Sequence, residues 1–185
     1  MATLVERAIG AARLDPATYE EVEADTDALG QAMTVVVVAA IASGIGSAAA
    51  SGGHGFGMVR GAIGALIGWF VWAFTVYVVG TRLLPQPETK ADLGELLRTT
   101  GFASVPGVVG ILGIVPVVGG LAMLVAWLWQ LAAMVVAVRQ ALDYTSTGHA
   151  IAVCVIGFVA QLAVMFVLIS VVFGSAFLVG SALTH

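Results

Sequence analysis

Charge is the scarcest ingredient of this chain: Asp, Glu, Lys and Arg supply 10% of its 185 residues, where ordinary soluble domains carry about 25%. Hydrophobic residues supply 60%, and the mean hydropathy is +1.05. A globule of this size keeps much of its surface in water and has no room to hide so much apolar area. The shortage of charge therefore excludes a water-soluble domain and leaves an integral membrane protein. Cysteine is nearly absent too. Cys154, alone in the apolar run AIAVCVIGF, excludes an internal disulfide and reads as a small hydrophobe. Histidine occurs only at His54, His149 and His185, so matched pairs for haem ligation are missing, and no metal or other cofactor is implied. The apolar runs carry no ionisable residue near their centres, which argues against an intramembrane catalytic site and against an ion-coupled carrier.

What charge there is lies unevenly. Residues 1–29 hold seven acids and two arginines, a net of −5, while residues 30–185 hold four acids and five bases, a net of +1. The first part reads as an acidic aqueous segment with no basic patch for nucleic acid, and the second as the membrane domain. The start lacks the cationic and apolar pattern of a secretory signal, so no cleavage is expected. Within this segment TLVERAIGAARL places Leu4, Val5, Ala8, Ile9 and Ala12 at helical spacing and suits a helix lying on the membrane. In DPATYEEVEAD, Asp15 serves as N-cap and Pro16 as first helical residue.

Four runs, near Gly30–Ala50, Met58–Leu84, Gly119–Leu142 and His149–Leu183, are long enough for about 30 Å of hydrocarbon. A further run, LRTTGFASVPGVVGILGIVPVVGG, is apolar yet contains Pro106, Pro116 and repeated glycines. From Gly101 to about Val118 it reads as a short, broken third crossing, held inside the bundle where other helices can satisfy its freed backbone. The fold expected is an all-α bundle of five crossings. With the N-terminus in the cytoplasm, Arg7, Arg13, Arg82, Lys90, Arg98 and Arg139 fall inside and only Arg60 outside, and His185 ends outside.

Several residues invite a role. Gly57, Gly61, Gly64 and Gly68 (GMVRGAIGALIG) offer small-residue faces, either for packing within the chain or for a second copy of it. Gly101 and Pro106 mark the close-packed third crossing. Gln130 and Gln161 each need an amide partner, from one another or from the carbonyls freed by the prolines. Trp69 and Trp72 sit deeper than an interfacial belt and read, with Glu20, Glu21 and Glu23 of the arm, as contacts for a partner.

In order, DPATYEEVEAD, the lead-in ending LLRTTGFASVPGVVGILGIVP, and WLWQLAAMVVAVRQALDYTSTGHAIAVCVIG resemble the bacterial branch of the Yip (Ypt/Rab-interacting protein) domain family. The resemblance runs from about Asp15 to Gly157 and implies five crossings with a cytoplasmic N-terminus in a bacterial inner membrane. Gly101-Phe102 stands where the family commonly has Gly-Tyr, and the Asp-Leu-Tyr motif of eukaryotic members has no counterpart in the second crossing. The function expected is non-enzymatic: an organiser, adaptor or accessory subunit that binds the bilayer and other integral membrane proteins, with membrane shaping as an extension. The alternative is a small-solute transporter or channel built on the broken third crossing.

Overall fold

The computed structural model describes residues 2–50 and 58–182, and all its regular structure is helical. Seven α-helices follow in order: α1 (Leu4–Ala12), α2 (Pro16–Ala24), α3 (Leu29–Ala50), α4 (Met58–Val78), α5 (Leu93–Phe102), α6 (Val118–Ala141) and α7 (Thr147–Ala182). A π-helical turn at Val79–Leu83 extends α4, and a 3-10 segment at Val105–Ile114 carries on from α5. Five stretches are long and apolar enough to cross a membrane: Thr26–Ala49, Gly61–Leu83, Leu93–Ile114, Val118–Ala141 and Thr147–Val164. Gly57 and His54 lie outside the described residues, as does His185.

The third crossing is broken, and it begins earlier than Gly101. Asp92 and Glu95 form a capping box: Asp92 Oδ1 accepts from the Glu95 N–H at 2.8 Å, and Glu95 Oε2 accepts from the Asp92 N–H at 2.7 Å. That start makes α5 part of the crossing rather than a lead-in to it. Pro106 then stands in the first turn of the 3-10 segment, where a missing donor costs least. Ten α residues and ten 3-10 residues rise about 15 Å and about 20 Å, enough together for the hydrocarbon layer. The link to α6 is tight. Val117 closes a γ-turn at φ 70°, ψ −45°, with the Val118 N–H bonded to the Pro116 carbonyl at 2.8 Å.

The crossing is seated against α3 through backbone. A Cβ on Gly46 would lie 1.9 Å from the Gly110 carbonyl oxygen, and one on Gly113 would lie 2.9 Å from Gly46 Cα. A Cβ on Gly110 would meet Ser43 Cα at the same 2.9 Å. Only glycine permits this approach. Ser43 Oγ adds a hydrogen bond to the Gly107 carbonyl at 2.7 Å, meeting one of the backbone acceptors that the tighter helix leaves over.

The acidic arm does not stand apart from the bundle. Tyr19, Val22 and Ala28 are fully buried and share one core with Ala32, Phe102, Ala133 and Ala137. The α1–α2 turn is pinned by hydrogen bonds to the carbonyls at the end of α1. The Tyr19 hydroxyl donates to Ala11 at 3.2 Å, and the Trp129 indole donates to Ala12 at 2.8 Å. Arg98, almost fully buried, donates to the Val22 and Glu23 carbonyls and so caps the last turn of α2. Arg7, 2% exposed, holds Glu21 at 2.9 Å and Asp25 at 2.6 Å, and donates to Gln31 at 3.1 Å. α1 turns its Arg7 and Ala11 side inward and leaves Val5 and Ile9 exposed, an apolar edge suited to the membrane surface.

Candidate functional site

Amide and indole side chains from three crossings converge on one cleft in the interior of the bundle. Its volume is about 400 Å³, within the range of small-molecule sites. α3 contributes Ser43, α4 contributes Gly68, Trp69 and Trp72, and α6 contributes Trp127 and Gln130. Ser104, at the break in the third crossing, faces Phe158 and Gln161 of α7 across it. Four of the residues singled out on sequence grounds, Trp69, Trp72, Gln130 and Gln161, therefore line a single space. A second, almost wholly apolar cavity of about 370 Å³ shares Trp72, Trp127, Leu131, Met134 and Phe158 with the first, and runs past Val135, Cys154 and Ile151. Those last residues lie nearer the helix ends that meet the α6–α7 turn, so the polar part of the groove is the deeper one.

The walls are built unequally. Trp69 is fixed: its indole N–H donates to Thr100 Oγ1 at 3.1 Å, and its ring edge lies 3.2 Å from where a Cβ on Gly101 would stand. Trp127 and Phe158 are about half exposed and form the open rim. Trp72 is packed along α7, its ring 3.7 Å from the position of a Cβ on Gly157, one turn before Gln161. The indole nitrogen of Trp72 and the amide oxygen of Gln161 are both buried without a hydrogen-bond partner. The two glutamines do not bond to one another, nor to the backbone freed near the prolines, which corrects the expected pairing. They stand on different helices around the same void.

The glycine stripe of α4 is also placed differently from the reading that packed it within the chain. A Cβ on Gly61, Gly64 or Gly68 would meet nothing within 4 Å. Gly68 lines the cleft instead. Close helix contact is made by Gly46, Gly101, Gly110 and Gly113; the last three belong to the glycine-rich third crossing read as close-packed, and Gly46 of α3 was not singled out. A glycine spacing tells that a helix face is flat, and nothing about which neighbour meets it.

The arm's acids are engaged by their own chain. Glu21 pairs with Arg7, Glu20 Oε1 accepts from Gln140 Nε2 at 2.7 Å, and Glu23 is partly buried. Burial, reinforced by Glu95, Asp143 and Glu20 against the opposing pull of Arg98, pushes the Glu23 carboxyl up to about 7. Beside it, Glu20, Glu88, Lys90, Arg139 and Asp143 border an open cleft of mixed charge at the same end of the bundle. Among the described residues no group of three or more His, Cys, Asp or Glu is placed to hold a metal.

The family model for the Yip1 domain matches residues 14–169, from the α1–α2 turn into α7. The chain belongs to the Yip1 domain family. The matched region takes in all five candidate crossings and both tryptophan walls of the cleft. Neither the curated proteins nor the solved structures give a match to this Yip1-domain chain.

Proposed function

We propose that this Yip1-domain protein is a non-enzymatic organiser of the membrane, an adaptor or accessory subunit that works by receiving apolar partners within the bilayer. The observation that carries the reading is the open interior cleft, rimmed by Trp127 and Phe158 and floored by Trp69 and Trp72. Large, rigid aromatic side chains around a pocket concentrate contact energy, as at the anchor positions of protein interfaces. Neither cavity wall includes Asp, Glu, Lys, Arg or His, so the site supplies shape and neutral hydrogen bonds rather than acid, base or ion coupling. With the arm in the cytoplasm, as the basic residues direct, the mixed-charge cleft around Glu20 and Arg139 gives the same adaptor a soluble-facing surface.

The test is purification in mild detergent followed by identification of what travels with the chain. Trp127→Ala combined with Phe158→Ala removes rim area without touching the hydrogen bonds of the core. The double variant should keep the parent's melting temperature within a few degrees and lose its membrane partners. Retention of every partner by a well-folded double variant would remove the cleft from the adaptor's working surface. Solute flux through the reconstituted protein, lost in the same variant, would make it a carrier instead.

A further inference from the structure

Two side chains that line the interior cleft each carry a polar atom, closed off from solvent, that the protein itself leaves over. An indole N–H offers only a donor, and an amide oxygen offers only an acceptor. Each is buried within an apolar crossing, where an unpaired polar group is costly. Elsewhere in the same region the chain meets such needs locally. Trp69 bonds to Thr100, Ser43 to Gly107, and Thr75 back to its own helix. Among the described residues the two exceptions, Trp72 Nε1 and Gln161 Oε1, belong to side chains that line the same cleft, on α4 and α7.

We propose that the cleft binds a neutral lipid alcohol, its hydroxyl accepting from the Trp72 indole and donating to the Gln161 amide, its chain lying in the adjoining apolar cavity. A hydroxyl is the smallest neutral group that does both jobs. A carbonyl or ether can only accept, and leaves Gln161 unpaired. A phosphate or ammonium headgroup is excluded by the lining, which holds no opposite charge to offset its desolvation at that depth. The chain's path is set by the second cavity, walled by Leu131, Met134, Ile151, Val155 and Val159, which presents almost no polar surface. A transmembrane helix is a poorer fit, because a space of about 400 Å³ takes side chains or a lipid chain but no helix backbone. The proposal rests on the reading of this cleft as a binding surface and names what enters it.

The experiment uses the full chain in lipid nanodiscs and three probes of equal length, 1-hexadecanol, hexadecyl methyl ether and hexadecane, followed by quenching or enhancement of tryptophan fluorescence and by thermal melting. The alcohol should bind the parent about tenfold more tightly than either of the others. Gln161→Leu and Trp72→Phe should each reduce that preference to about twofold while leaving hexadecane binding unchanged. Melting supplies a second readout. Stripped of lipid, Gln161→Leu should be at least as stable as the parent, since an unpaired group has gone. With alcohol present the order should reverse. Equal binding of the three probes, or full preference in both variants, would overturn the proposal and assign the two polar atoms to water. Loss of protein partners in the Trp127/Phe158 variant with no alcohol preference anywhere would leave the adaptor reading standing and sink this one alone.

Discussion

Glu23 shows how one residue can make the whole fold sensitive to pH. Its carboxyl is lifted to about 7 by burial first and by Glu95, Asp143 and Glu20 after it, from an ordinary 4.5. Between those two values the folded chain holds a proton that the unfolded chain has released, so stability falls as pH rises across the window. Replacing Glu23 by Gln should flatten that fall and raise the melting temperature at about pH 8, with little change at about pH 5. A parent and variant that melt in parallel across the range would place the titration elsewhere. Val117 is the second informative residue. A β-branched side chain at positive φ costs roughly 1–2 kcal/mol, and this one is 99% exposed and touches nothing that would compensate. Val117→Gly should therefore stabilise the protein by about 1 kcal/mol, read as a higher melting temperature. Neither feature was visible in the sequence. IVPVVGG announces a tight turn without showing which residue takes the strained dihedral, and EEVEAD reads as solvated acid until Arg98 and the core draw Glu23 inward.

At the scale of elements the third crossing was legible in kind. Two prolines and closely spaced glycines in an apolar run point to a broken helix packed inside a bundle, and residues 93–114 form one. Its start was misplaced because the charged stretch KADLGELLR looks like a loop lead-in, whereas the Asp92–Glu95 capping box makes it the first turn of the crossing. The partner of its glycines was not legible at all, since Gly46 sits beside Gly44 in a run of small residues on α3 (ASGIGSAAA) that singles out neither. Backbone contact there should tolerate no side chain. Gly110→Ala puts a methyl 2.7 Å from Ser43 Oγ and 2.9 Å from Ser43 Cα, and should lower the melting temperature by an amount matching the roughly 1–3 kcal/mol of overpacking. Gly64→Ala, which meets nothing within 4 Å, should be silent. A loss at Gly64 equal to that at Gly110 would mean that α4 is covered by a second copy or another chain in the membrane.

For the whole molecule, composition alone carried the class. The structure gathers the acidic arm, Lys90, Arg98 and Arg139 at one end of the bundle, through Gln140–Glu20 and the capping of α2 by Arg98. What composition could not carry was the arm's place in the core, because Tyr19 and Val22 are too few to form a hydrophobic pattern by themselves. We propose that this end faces the cytoplasm, because six of the seven basic residues lie there and only Arg60 falls at the other. On that proposal, an odd number of crossings predicts that the segments 51–57 and 183–185, outside the described residues, label from the opposite side. In a Cys154→Ser background, single cysteines at Ser51, Glu88 and Thr184 should separate cleanly. The Glu88 position should react with a membrane-impermeant maleimide only from the cytoplasmic side, and the other two only from outside. Glu88 is the stringent site, since it is exposed at the rim of the mixed-charge cleft and a thiol there has free access to reagent. Labelling of positions 88 and 184 from one side would break the five-crossing order, while reversal of all three would keep the bundle and invert its orientation. In the inverted case the arm and its acids would face away from the cytoplasm, and the proposed adaptor role would have to use the mixed-charge cleft on that side.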